Sequence, residues 1–202
     1  MDATATARQG GGVAQLVTIV GPLASGKGTV AHAVADRLAA QGRTSVVADV
    51  DDVAAMVAGR GAGASGLWPA AHAAHGALVA GWLATEADVV LAVGNVYDAD
   101  ERRALAASLP PATPVLRVVL DAPLAVTWAR AVDDPARGLS RERGFHERAH
   151  ARFRALLPTI PADLVLDTAT LSPERCADAV LTRLTMLTGP VERGQATAEE
   201  PR

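Results

Sequence analysis

Cysteine, lysine and aromatic residues are all scarce in this chain of 202 residues. The single cysteine, Cys176, excludes an intrachain disulfide framework and a thiolate metal cluster. Set among apolar neighbours in a helical pattern, it reads as a small core residue. No apolar run reaches the roughly 18 residues that a membrane span requires, so no membrane partner is expected. Residues 1–14 are polar, small and glycine-rich, without the basic-then-apolar order of a signal peptide. A formal net charge of −3, with signs mixed, offers no broad basic surface, and nucleic acid is not expected as a partner. The reading is a soluble cytoplasmic protein whose length suits one domain with a well-buried core. Nothing in the sequence sets an oligomeric state.

The scarcity of lysine points to a site. Lys27 is the only lysine among 19 Lys and Arg residues. It lies in Gly21-Pro22-Leu23-Ala24-Ser25-Gly26-Lys27-Gly28-Thr29, after the apolar run Leu16-Val17-Thr18-Ile19-Val20 and before a helical pattern over residues 30–40. Strand, glycine-rich loop with Lys, then helix is the context of a phosphate-binding loop. Glycines let the backbone curl so that successive N–H groups face an anion, and the helix N-terminus adds positive potential. A compact ammonium suits that place better than a broad guanidinium. Lys27 is expected on the outer phosphates and Thr29 on Mg²⁺ or a phosphate oxygen. The loop does not have the Gly-x-Gly-x-x-Gly spacing of a dinucleotide fold.

Further along, residues 45–48, 89–93, 115–120 and 164–166 read as strands. Residues 53–58, 68–85, 98–107, 122–132, 145–157 and 173–187 read as helices. Residues 59–66 read as a flexible glycine-rich connection, and residues 133–146 as an arginine-bearing lid. The chain therefore divides into a disordered lead-in (1–14), one domain (15–188) and a flexible tail (189–202). Strands alternating with helices predict an α/β fold with a parallel sheet covered on both faces. Ligands then sit at the carboxyl ends of the strands.

That rule selects the candidate residues. Asp49, Asp51 and Asp52 follow the second strand. Asp51 is the expected general base toward an acceptor hydroxyl, Asp49 the alternative and Asp52 a helix cap; any of them could hold Mg²⁺ through water. In the lid, Arg137 is the expected partner of the transferred phosphoryl group, with Arg130 or Arg141 beside it. Arg143, Arg148, Arg152 and Arg154 read as surface residues. Trp68, Asn95 and Tyr97 are candidate walls of the acceptor pocket, near Phe145 and His146. His72 and His75 read as ordinary helix residues and Trp82 as core.

Taken together, Gly21 to Thr29, Val50-Asp51-Asp52-Val53, the Asp133-to-Arg141 segment, His150-Arg152-Phe153 and Leu164-Val165-Leu166-Asp167-Thr168 resemble the P-loop small-molecule kinases. The neighbourhood is that of chloramphenicol phosphotransferase, shikimate kinase and gluconate kinase. Gly28, standing between Lys27 and Thr29, is closer to adenylate-kinase-type loops. The resemblance implies a five-stranded sheet in order 2-3-1-4-5 and ATP with Mg²⁺. It places the adenine near the lid and the loop after the fifth strand, around Asp167 to Thr170 with Asp167 and Thr168 as contacts, and makes Asp51 the base. It also implies phosphoryl transfer to a hydroxyl of a small molecule, antibiotics and other secondary metabolites included. A nucleotide kinase is the near alternative, although residues 59–88 offer only Arg60 for an acceptor phosphate. A non-catalytic ATP-binding switch is the alternative of another class.

Overall fold

The sheet forms where the chain carries continuous β-branched and leucine runs. In the computed structural model, which describes residues 13–187, these runs are β1 (Gln15–Val20), β2 (Ser45–Asp49), β3 (Val89–Gly94), β4 (Val115–Asp121) and β5 (Leu164–Asp167). All pair in parallel, in the order β2-β3-β1-β4-β5. The near-continuous apolar and buried character of β1 and β3 fits central strands covered on both faces. Register brings the carboxyl ends into one row: Val20 lies beside Gly94, Asp49 beside Val93, and Asp121 beside Asp167.

One face is covered by α1 (Lys27–Ala40) and α8 (Pro173–Leu187). Val30, Val34 and Leu38 recur every four residues on α1 and meet Cys176, Ala177, Val180 and Leu184 of α8 in a fully buried cluster. Each such Val or Leu contributes roughly 1.5–3 kcal/mol by leaving water. The opposite face carries α4 (Trp68–Leu83), α5 (Ala99–Ala106) and α7 (Arg143–Leu156), with Val79, Leu83, Leu105 and Phe153 buried against the strands. Two short helices, α2 (Val50–Ala55) and α3 (Gly61–Ala64), pack Val53, Ala54 and Ala62 on Ala71. After α6 (Leu124–Asp133) comes a 3-10 segment, Pro135–Arg141, broken at Gly138 where φ is 41°.

The sheet order and the two helical layers are those expected. Three local readings need correction. The helix expected over 53–58 begins at Val50, directly on the end of β2, so Asp49 rather than Asp52 is its cap. The connection at 59–66 contains α3. Trp82 is 41% exposed: the buried row of α4 runs through Ala71, His75, Val79 and Leu83, and Trp82 is one residue out of phase. His72 and His75 are helix residues as expected, both buried in α4. Of the expected lead-in, residues 1–12 lie outside the described residues, as does the expected tail at 189–202. Among the described residues no helix is long and apolar enough to cross a membrane.

Candidate functional site

The loop between β1 and α1 is curled by backbone geometry that few side chains tolerate. Gly26 has φ 91° and Ala24 φ 55°, both left-handed. A Cβ on Gly21 would lie 2.6 Å from the Leu120 carbonyl oxygen and 2.7 Å from Ser25 Oγ, so only glycine fits there. Holding an alanine in the left-handed region costs about 1 kcal/mol. The loop thus folds into a concavity at the N-terminus of α1, a geometry suited to an anion. The Ser25 hydroxyl is fully buried and has no hydrogen-bond partner among the described residues. An orphaned hydroxyl inside such a loop suits the oxygens of a phosphate.

Lys27 curls back over the same loop. Its Nζ donates to the carbonyl oxygens of Gly21 (3.0 Å) and Pro22 (3.1 Å). Burial of the ammonium lowers its pKa to about 8, against the opposing pull of Asp51 and Asp49; Arg137 lowers it slightly further. Asp49 caps α2 by accepting from the Asp51 backbone N–H at 3.0 Å. Burial holds its carboxyl above the usual range, with the Asp51 N–H opposing. Asp51 and Asp52 are exposed in the first turn of α2. The charge of Asp51 reaches Lys27, His72, His75 and Tyr97, which locates that carboxylate over the loop and the start of α4.

Two cavities flank the loop. The first, of about 270 Å³, is lined by Ala24, Ser25, Gly26, Thr29, Arg130 and Arg137, with Thr168 at its far wall. Arg130 donates to Thr168 through both terminal nitrogens, at 3.2 Å to Oγ1 and 2.6 Å to the carbonyl oxygen. Thr168 Oγ1 in turn lies 2.9 Å from the Ser25 carbonyl oxygen. The guanidinium, the end of β5 and the phosphate-type loop are therefore one hydrogen-bonded unit. Arg137 arrives from the 3-10 segment, paired with Asp134 at 3.0 Å. Thr29 is exposed in the first turn of α1.

The second cavity, of about 310 Å³, is lined by Leu23, Trp68, Asn95, Tyr97, Phe145, Arg148 and Arg152. The three wall residues expected from sequence thus come together. Tyr97 donates its hydroxyl to the Gly21 carbonyl oxygen at 2.6 Å and lies 2.9 Å from Asn95 Oδ1. Phe153 meets its ring edge-on at 5.3 Å, and the Arg152 guanidinium lies 5.4 Å from the ring centroid. Arg152 is itself held by Asp98 and Glu101, both at 2.7 Å.

Not every candidate reaches a cavity. Arg141 and Asp52 are exposed and line neither space. Asp167 is exposed, and its carboxylate instead accepts from the Ala169 N–H at 2.8 Å. Leu23, Arg148 and Arg152 were missed as lining residues. Their signal was present in Phe145, Arg148 and Arg152, which share one helical face at spacings of three and four. His146 was grouped with the pocket but is buried behind it. Its Nδ1 donates to the Ser140 carbonyl oxygen at 3.1 Å and its Nε2 lies 3.0 Å from Thr127 Oγ1, which pins the 3-10 segment to α6 and α7.

Among the described residues no group of three or more His, Cys, Asp and Glu side chains is placed to hold a metal ion. The Cys176 thiol is buried and its pKa is pushed up by that burial, as suits a core residue.

Known proteins share this architecture. A shikimate kinase from Acinetobacter baumannii in complex with shikimate is 18% identical with a TM-score of 0.56, over 88% of this chain and 96% of the other. A sugar kinase from Janibacter sp., unliganded, is 23% identical with a TM-score of 0.55, over 85% of this chain and 95% of the other. No curated protein sequence matches the chain. The family model described as AAA domain matches residues 16–158, more than half of the chain. The protein is therefore a member of that AAA domain family, with a fold shared with these two kinase structures.

Proposed function

We propose that the protein is an ATP-dependent small-molecule kinase, moving the γ-phosphoryl group to a hydroxyl of its acceptor. The observation that carries this reading is the pair of cavities on either side of the Gly21–Thr29 loop. One carries the polar side chains of Ser25, Thr29, Arg130 and Arg137. The other is walled by aromatic rings, Asn95 and two arginines. Lys27 belongs to the loop between them, within the field of Asp49 and Asp51.

Bound ATP supplies the phosphoryl group, whose bond to the acceptor oxygen forms as its bond to the ADP oxygen breaks, with Mg²⁺ offsetting the charge. The backbone of Gly21, Ala24, Ser25, Gly26 and Gly28 and the Lys27 ammonium would hold the phosphates. The Thr29 hydroxyl would be the protein's ligand to Mg²⁺. Asp51, exposed and free of the capping role that occupies Asp49, would take the acceptor hydroxyl's proton. Arg137 and Arg130 would meet the equatorial oxygens, and Thr168 would border the nucleoside. Trp68, Asn95 and Tyr97 would orient the acceptor, and the segment carrying Arg137 would close over the site and exclude water.

A screen for ATP consumption over hydroxyl-bearing metabolites and antibiotics tests this reading. Turnover should depend on one class of acceptor. Lys27→Ala should abolish it and Asp51→Asn should lower kcat about 10²–10⁴-fold. Nucleotide binding without acceptor-dependent turnover would favour a switch protein. Full activity in Asp51→Asn would remove the base assignment.

A further inference from the structure

A third cavity, lined by no residue of the Gly21–Thr29 loop, lies under α5 on the face of the sheet opposite α1 and α8. It measures about 250 Å³ and is lined mainly by apolar side chains, among them Leu16, Val20, Ala92 and Leu105. An engineered apolar cavity of about 150 Å³ takes a benzene ring. This space therefore admits a ring carrying a short arm.

Three polar features set it apart from a packing gap. Arg117 occupies the row of β4 that also presents Val115 and Val119 to this side of the sheet. Alternation puts that row on the α4–α5 side of the sheet, where a central strand ordinarily carries an apolar residue, and the Arg117 side chain there is 47% exposed. Its guanidinium is 3.4 Å from Asp163, whose carboxylate bonds more closely to the Arg117 backbone N–H at 2.8 Å. Arg102, on α5, also lines the space and donates to the Tyr97 carbonyl oxygen. Among the described residues it has no carboxylate partner. His75 lines the space as well and is 1% exposed. Its Nε2 donates to the Ala48 carbonyl oxygen at 2.9 Å, while Nδ1 finds no partner among the described residues.

We propose that this cavity is a binding site for a small aryl-alkyl carboxylic acid, with the ring on the β1–β3 surface and the carboxylate on Arg117 and Arg102. A bidentate guanidinium–carboxylate contact supplies orientation, and the apolar lining supplies most of the affinity. The site is separate from the phosphate-type loop, so the proposal does not depend on the kinase reading. The two are nonetheless joined by single bonds. Arg102 holds the carbonyl of Tyr97, whose hydroxyl holds Gly21, and His75 holds Ala48, the residue before Asp49.

Phenylacetate titrated into the methyl-labelled full chain, with phenylethanol as the uncharged control, tests this. Saturable shifts should appear at the methyls of Leu16, Ala92 and Leu105, and persist in Lys27→Ala. Phenylethanol should bind at least tenfold more weakly, and Arg117→Gln should erase that difference. Ala106→Trp, at an exposed rim position, should block binding while unfolding temperature stays unchanged. Equal affinity for acid and alcohol, shifts confined to residues 21–29, or contacts from residues 1–12 to the cavity methyls would each overturn the proposal.

Discussion

The Tyr97 hydroxyl donates across 2.6 Å to the carbonyl oxygen of Gly21, the same oxygen that accepts from Lys27 Nζ at 3.0 Å. A residue three positions beyond the end of β3 is thus braced against the first residue of the phosphate-type loop. Tyr97→Phe leaves the ring packed on Phe153 and removes this brace together with the contact to Asn95. The expected loss is about 1 kcal/mol of stability, read by urea unfolding. Weaker nucleotide binding should accompany it, because the loop curl is less well fixed.

Lys27 makes nucleotide binding pH-dependent. In the free protein, burial lowers its pKa to about 8, and bound phosphate oxygens would raise it again. Affinity should be full below pH 8 and fall as pH rises through that value, by up to tenfold per unit, with proton uptake on binding. Calorimetry in two buffers of different ionisation enthalpy measures that uptake. The folded value also lies below the unfolded value of 10.5, so the unliganded protein should gain stability between those two pH values. Lys27→Met should therefore raise unfolding temperature while abolishing nucleotide binding.

The two acidic residues beside α2 should separate cleanly. Asp49 caps the helix and Asp51 does not. Asp49→Ala should cost about 1 kcal/mol in stability and Asp49→Asn much less, since Asn still caps. Asp51→Asn should leave stability within about 0.5 kcal/mol, so that any loss of turnover reports chemistry.

Acid should loosen the fold early. Burial keeps the pKa values of His72, His75 and His146 below the ordinary 6.5. Between the folded and unfolded values the unfolded chain binds more protons, so stability falls as pH drops below about 6.5. Urea midpoints at pH 7.5 and 5.5 should differ. His146→Gln, which removes one of the three, should reduce the difference.

Much of this was legible in sequence where one segment carries its own signal. The strand, loop and helix around Lys27 and the parallel alternation needed only local pattern, and the sheet order followed from the resemblance those motifs carried. The phase of α4 was not legible, because that helix is apolar nearly all round and no stripe marks its buried face; Trp82 was misplaced for that reason. Asp49's capping role was hidden by the absence of any loop between β2 and α2. Arg152 is exposed, as read, but its pairing with Asp98 and Glu101 was not legible because they lie about fifty residues away at the start of α5. Such pairings depend on tertiary packing, and no spacing rule reaches them.

The central claim is tested most directly by titrating ATP with Mg²⁺ into the isotopically labelled protein and following the backbone amides. The account predicts saturable shifts concentrated at residues 21–29, with Arg130 and Thr168 responding and Lys27→Ala eliminating them. Absence of binding, or shifts centred elsewhere with the 21–29 amides unmoved, would contradict it.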